Sequence, residues 1–215
     1  MAKGYRRILA LICSVVCVGV AQADGTDATL DRVLGGFEHV KAHFVQKVTA
    51  QNQSKTAQGT LWIEKPGKFR WEYQKPAQVV VSNGKTLWFY DVDLAQVTIK
   101  DVNEVLSDTP AQLLAGQFKW RELFTAKEAP VSKPDSGQPA VLMTTVELTP
   151  KSKKSEFKKV TLVVSGNAIV ALEWVDQLNQ STQVRLDHWD PSSAIEPQRF
   201  EFVVPADVDV VGKPR

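Results

Sequence analysis

KPGKFRWEYQKP, residues 65–76, alternates without a break between its two prolines: Phe69, Trp71 and Tyr73 take one parity, and Lys68, Arg70, Glu72 and Gln74 take the other. A period of two is that of a β-strand with one face against a core. The prolines keep the strand short, because proline cannot donate to a ladder. One face of this strand is aromatic throughout, and the surface it touches is the first question the chain raises.

The same period extends outward on both sides. HFVQKVTA (43–50) and GTLWIEK (59–65) precede the segment, and QVVVSNGKTLWFYD (78–91) and QVTIKD (96–101) follow it. Asn83-Gly84, set between two apolar runs, marks a tight hairpin, so these strands form an antiparallel meander. A helix interrupts it: in DTPAQLLAG (108–116) a capping residue, an early proline and a terminal glycine enclose a short helical run. Strands resume with VLMTTVELTP (141–150), FKKVTLVV (157–164), AIVALEWVD (168–176), TQVRLDHWD (182–190) and RFEFVV (199–204). The Pro-, Ser- and Gly-rich segment 130–139 reads as a long hairpin loop. Ahead of the first strand, Thr29 to Phe37 reads as a short helix capped by Thr29, with Leu30, Val33, Leu34 and Phe37 on one side. The expected fold is mainly β, a curved sheet or incomplete barrel of about ten strands with two small helices, in one domain.

The first 23 residues carry Lys3, Arg6 and Arg7, an apolar run from Ile8 to Val20, and the small-x-small pattern Ala21-Gln22-Ala23. This is the pattern of a secretory signal peptide, with the mature chain expected to span 24–215. Cys13 and Cys17 are the only cysteines and both fall in the leader, so the mature chain is expected to hold no disulfide and to depend on packing. Without the leader, 23 basic residues face 24 acidic ones, a net charge of −1. That balance offers nothing to a nucleic-acid backbone.

Motifs for catalysis are thin. His39 and His43 form HVKAH, but Val40 stands where a zinc-protease helix carries glutamate, and His43 falls in a strand. His188, beside Trp189, reads as an ordinary surface histidine. Asp91 and Asp93 sit at a strand end, where aspartates favour turns. No Gly-x-Ser-x-Gly elbow and no phosphate-cradling glycine loop is present. Lys151, Lys153, Lys154, Lys158 and Lys159 form a basic cluster that reads either as a solvated hairpin or as a docking patch. What stands out is aromatic mass: six tryptophans, among them Trp62, Trp71 and Trp88 in neighbouring strands. GTLWIEK and TLWFYD are apolar on both parities, an excess that a sheet curved around an apolar cavity would accommodate.

FVQKVT, GTLWIEKPGKFRWEY, VSNGKTLWFYDVDLAQVTI, DTPAQLLAG, ELTPK and RFEFVVPADVDVV occur in this order along most of the chain, and together they resemble the LolA family of periplasmic lipoprotein carriers. The resemblance implies an unclosed antiparallel β-barrel, of about ten to eleven strands, with a short helical lid over an apolar cavity. It implies a periplasmic chaperone, monomeric and neither enzyme nor cofactor-binding. Such a carrier takes triacylated lipoproteins from an inner-membrane ABC transporter and delivers them to the outer-membrane receptor LolB. The acyl-chain positions it implies are Trp62, Phe69, Trp71, Leu87, Phe89, Leu113 and Leu114, with Thr109 and Pro110 also in the lid. Lys65 stands where the family has a basic residue, often arginine, that bonds the lid to the barrel. Lysine lacks the forked guanidinium, so a multiply bonded latch is not assured by the resemblance. Two other readings are a LolB-like receptor, disfavoured because no cysteine fits a lipid anchor, and a secreted hydrolase, for which no constellation is visible.

Overall fold

The computed structural model describes residues 23–102, 111–116, 119–129 and 143–212. Residues 1–22 of the expected leader, Thr109 and Pro110 of the lid, and the 130–139 loop lie outside these residues, whereas Ala23, the expected last residue of the leader, opens α1. Helix α1 (Ala23–Gly35) leads into β1 (His39–Ala50), β2 (Gln53–Glu64), β3 (Lys68–Tyr73), β4 (Gln78–Asn83), β5 (Thr86–Asp91) and β6 (Gln96–Asp101). Two four-residue helices, α2 (Ala111–Leu114) and α3 (Trp120–Leu123), then precede β7 (Phe124–Ala129), β8 (Met143–Pro150), β9 (Phe157–Ser165), β10 (Ala168–Asp176) and β11 (Ser181–Asp190). A 3-10 turn (Pro197–Phe200) and β12 (Asp209–Val211) complete the described chain.

All twelve strands belong to one sheet, in the order β12-β6-β5-β4-β3-β2-β1-β11-β10-β9-β8-β7. Its edges, β12 and β7, do not pair with each other, so the barrel is unclosed. Every pairing is antiparallel except that of β12 with β6. β1 joins the two meanders, pairing with β2 on one side and β11 on the other. Helix α1 reaches both halves. Its C-terminal end meets the β2–β3 turn through Lys65, and Arg32 donates to Gly166 O and Asn167 Oδ1 in the β9–β10 turn, both at 2.6 Å. One 13-residue helix touching both turns requires the sheet to curl beneath it. Among the described residues no helix is long and apolar enough to cross a membrane.

The main core lies on the inner face of the curl. Phe44, Leu61, Ile63, Phe69 and Trp71 from one half join Leu148, Leu162, Leu172 and Val184 from the other, under Leu30 and Val33 of α1. Gly59 lets the strands close at this point. A Cβ there would stand 1.8 Å from Glu72 O and 2.8 Å from the Phe44 ring, which itself packs edge-on to Trp71 and Tyr73 at 5.1 and 4.9 Å.

Two expectations need correcting, and three elements carried no expectation. The first helix begins at Ala23 rather than at Thr29, so Thr29 lies inside it and Thr26 is buried. The segment 199–204 is not a strand: Phe200 ends a 3-10 turn, and the chain then runs unpaired across the outer face of β3–β5. Its alternating apolar residues satisfy the period-two pattern because one side of an extended segment is buried, with or without a ladder. β7 and α3 did not stand out in the sequence, since FTAKEA has only a weak alternation. β12, a short exposed edge, also went unmarked.

Gly59→Ala should lower the stability of the fold by about 1–3 kcal/mol through overpacking against the β3 backbone. The measurement is denaturant unfolding of the variant beside wild type. An unchanged midpoint would mean that β2 and β3 separate at this point without strain.

Candidate functional site

Register decides which side chains share a face. Glu64 pairs with Lys68 across a three-residue turn in which Gly67 has φ 77°, so Leu61 faces Trp71, and Trp62 faces Arg70. Onward, Trp71 pairs with Val80, Phe69 with Ser82, and those with Phe89 and Leu87. Phe69, Trp71, Leu87 and Phe89 therefore stand on the inner face together. Leu113 and Leu114 of α2 are buried in the same core cluster as Phe69, Trp71 and Leu87. Phe89 is the most open of the set, at 36% exposure.

Trp62 is not with them. It lies on the outer face, where the Arg199 guanidinium stacks 4.7 Å from its ring. Trp88 also points outward, 6.2 Å from Phe202, and Tyr90 meets the same ring at 5.9 Å. Val81, Val97, Ile99 and Phe200 are buried apart from the main core, under this C-terminal segment. The apolar excess on both parities of β2 and β5 thus has a different cause from the one expected: the sheet is covered on both faces here. Trp62 leaves the acyl-chain set for that reason. The turn length was the signal that would have separated it from Trp71.

Trp71 is 6% exposed, and its indole Nε1–H has no hydrogen-bond partner. A buried donor left unpaired costs about 1–3 kcal/mol, so the inner face holds one unmet hydrogen bond in an otherwise apolar surround. Its neighbour Tyr73 is satisfied, donating to Gln46 Oε1 at 3.0 Å, and burial pushes its hydroxyl up to about 12.

Lys65 gathers three elements at the rim. Its Nζ donates to Leu34 O at the C-terminal end of α1 and to Phe37 O at 3.1 Å, and stands 3.5 Å from the Phe37 ring centroid. Its backbone N–H donates to Glu38 O at 2.8 Å. The aliphatic stem lies against Gly116, where a Cβ would stand 3.0 Å from Lys65 Cδ; Gly116 also has φ 64°, which favours glycine. Two residues further, Gly67 N–H donates to Ala115 O at 2.8 Å. Among the described residues the ammonium's acceptors are therefore in and just after α1, while α2 meets the stem and the turn backbone. Leu34, Lys65, Leu113, Trp120 and Arg121 border an opening of about 470 Å³ between these helices.

Across this opening Arg121 holds Asp31 with two bonds, of 2.5 and 2.8 Å, and Trp120 Nε1 donates to the same carboxylate at 3.0 Å. The Arg121 and Trp120 hydrogen bonds hold the Asp31 carboxyl below its usual range. These bonds fasten α3 to α1, while its other end runs on into β7 and Leu123 O accepts from Lys151 N–H, just past β8, at 2.8 Å.

The remaining polar residues have structural duties. Asp91 accepts from Leu94 N–H and Gln78 Nε2 at its turn. Lys151 donates to Arg121 O, Lys158 to Asn179, and Lys159 pairs with Glu147. HVKAH lies in β1, a strand, which rules out the helical zinc-protease spacing.

The family model for outer membrane lipoprotein carrier protein LolA matches residues 35–203. An outer-membrane lipoprotein carrier protein of Dechloromonas aromatica is 36% identical over 211 residues, covering 97% of each chain. That of Chromobacterium violaceum is 35% identical, over 94% of this chain and 95% of its own. An uncharacterized conserved protein from Thermus thermophilus has a similar fold, with TM-score 0.54 over 86% of this chain and 97% of its own, at 14% identity.

Burial of Lys65 pulls its ammonium down from 10.5 to about 8. A pKa lowered on folding means that the unfolded chain binds more protons between the two values, so stability from this group rises with pH across that window. Both carbonyl bonds survive deprotonation, because a neutral amine keeps two N–H donors. The difference in thermal midpoint between wild type and Lys65→Met should therefore shift in favour of wild type from about pH 8 toward pH 10.5. A difference that stays flat over this range would place the ammonium in water.

Proposed function

The chain belongs to the LolA family of outer-membrane lipoprotein carrier proteins, and on that premise we propose that it is a periplasmic carrier whose inner sheet face receives the acyl chains of triacylated lipoproteins. The observation that carries this reading is the inner face itself. Phe69, Trp71 and Leu87 form an apolar floor that α2, a helix of only four residues, covers with Leu113 and Leu114. An acyl chain offers the floor the same chemistry as the leucines it replaces.

Burying a chain of about a dozen methylenes gains on the order of 10 kcal/mol at ~0.8 kcal/mol per methylene, before ordering costs. Displacing the lid consumes part of that gain, which keeps net affinity low enough for release. Loading from an inner-membrane ABC transporter, delivery to the receptor LolB, cleavage of the leader before Asp24, monomeric action and the absence of any cofactor or chemical step belong to the same proposal. Lys65 acts in it as the latch residue: its bonds to the carbonyls of Leu34 and Phe37, with its stem under Gly116, favour the closed, empty state.

Tryptophan emission should shift when a fatty-acyl probe is titrated in. Trp71→Phe should remove most of that shift, while Trp62→Phe, on the outer face, should leave it. A response that follows Trp62 instead would move the acyl site to the other side of the sheet. For the latch, Lys65→Leu should retain a bound lipoprotein roughly 10- to 100-fold more tightly than wild type, slowing transfer to purified receptor, with Lys65→Arg closer to wild type. Equal transfer rates in all three proteins, at equal folded stability, would leave Lys65 a packing residue.

A further inference from the structure

The β1–β11 ladder is broken once. Lys41 pairs with Asp190 and His43 with Asp187, so two residues, His188 and Trp189, stand opposite the single residue Ala42. This is a β-bulge, and His188 adopts φ 50° within it. In a regular strand position 188 would point inward beside Ala42 and position 189 outward. The bulge reverses both: Trp189 turns in to meet Phe37 edge-on at 5.1 Å, and His188 turns out. Consecutive residues Asp187 and His188 thereby project from the same face, which alternation forbids elsewhere in a strand.

On that face they meet His43, the register partner of Asp187. Asp187 Oδ1 lies 2.8 Å from His188 Nδ1 and 3.7 Å from His43 Nδ1, and the two imidazoles are 4.9 Å apart between centroids. One ligand atom from each of the three lies within 4.8 Å of the others. Three donors on a zinc ion, at bond lengths of about 2.0 Å, are separated by roughly 3.3 Å in tetrahedral geometry. Small side-chain rotations close that gap, and all three side chains are exposed enough to make them. Among the described residues no other group of three or more such side chains converges in this way.

We infer that His43, Asp187 and His188 form a surface site for a divalent cation of borderline softness, with zinc as the ion best matched to two imidazoles and a carboxylate. Solvent fills the fourth position, so the site is open to an added ligand. It lies on the outward-facing side of the sheet, opposite the apolar floor, and it does not depend on what the inner face carries.

The test is titration of the protein purified from its native host with zinc ion alone, in competition with a chromophoric chelator. Wild type should take up zinc saturably, and His43→Ala and His188→Gly should each weaken that uptake by at least about tenfold. His188→Gly suits the positive φ, so the bulge persists while the ligand is lost. His39→Ala, which removes the remaining histidine, should change nothing. No saturable uptake by wild type, or the same affinity in the His43→Ala/His188→Ala double variant, overturns the assignment.

Discussion

A half-buried lysine ammonium over the C-terminal end of a helix is the constraint on which the placement of the helices over this sheet rests. Helix carbonyls in the last turn lack intrahelical donors and carry the negative end of the dipole, so a cation placed there satisfies both. Lys65 does this for α1 from the turn between β2 and β3. Because the next residues of that turn also hold the end of α2, one three-residue loop sets the position of both helices over the sheet. The arrangement is stable but not deeply so. Desolvation opposes the charge, and among the described residues the turn meets the end of α2 through the Gly67 N–H bond to Ala115 O and the packing of the Lys65 stem on Gly116.

That balance suits a lid. Leu113 and Leu114 gain burial by covering the inner face. Their order depends on the rim that Lys65, Pro66 and Gly67 provide. α3 is secured separately, by Arg121 and Trp120 on Asp31 of α1. The two short helices therefore answer to different anchors, and a change at Lys65 leaves the Asp31 contacts in place.

The sheet beneath is covered on both faces at β3–β5, for two different reasons. The inner face meets the core and the lid. The outer face meets the C-terminal segment, with Phe200 buried and Arg199 stacked on Trp62. The C-terminal segment adds no strand there, yet it supplies a second small core and relieves the outer tryptophans of exposure. The bulge that turns His188 outward lies farther along the sheet, in the β1–β11 pairing.

Strand content and the hairpin at 83–84 were legible in the sequence, because alternation and turn chemistry are local: each is set by residues within a few positions of one another. The apolar face of β3 and the helix in 108–116 could be read for the same reason, whereas the lid and the acyl-chain positions were implied by the family resemblance. What only the tertiary structure decided was which face each aromatic serves. Trp62 and Trp71 look alike in sequence, and their separation follows from the odd length of one turn, which pairs Trp62 with Arg70. The acceptors of Lys65 lie 28 and 31 residues away, and the cover for Trp88 comes from Phe202, across most of the chain. Contacts at that separation leave no periodic trace, since they depend on how the sheet curls and on which segment returns to fill the space.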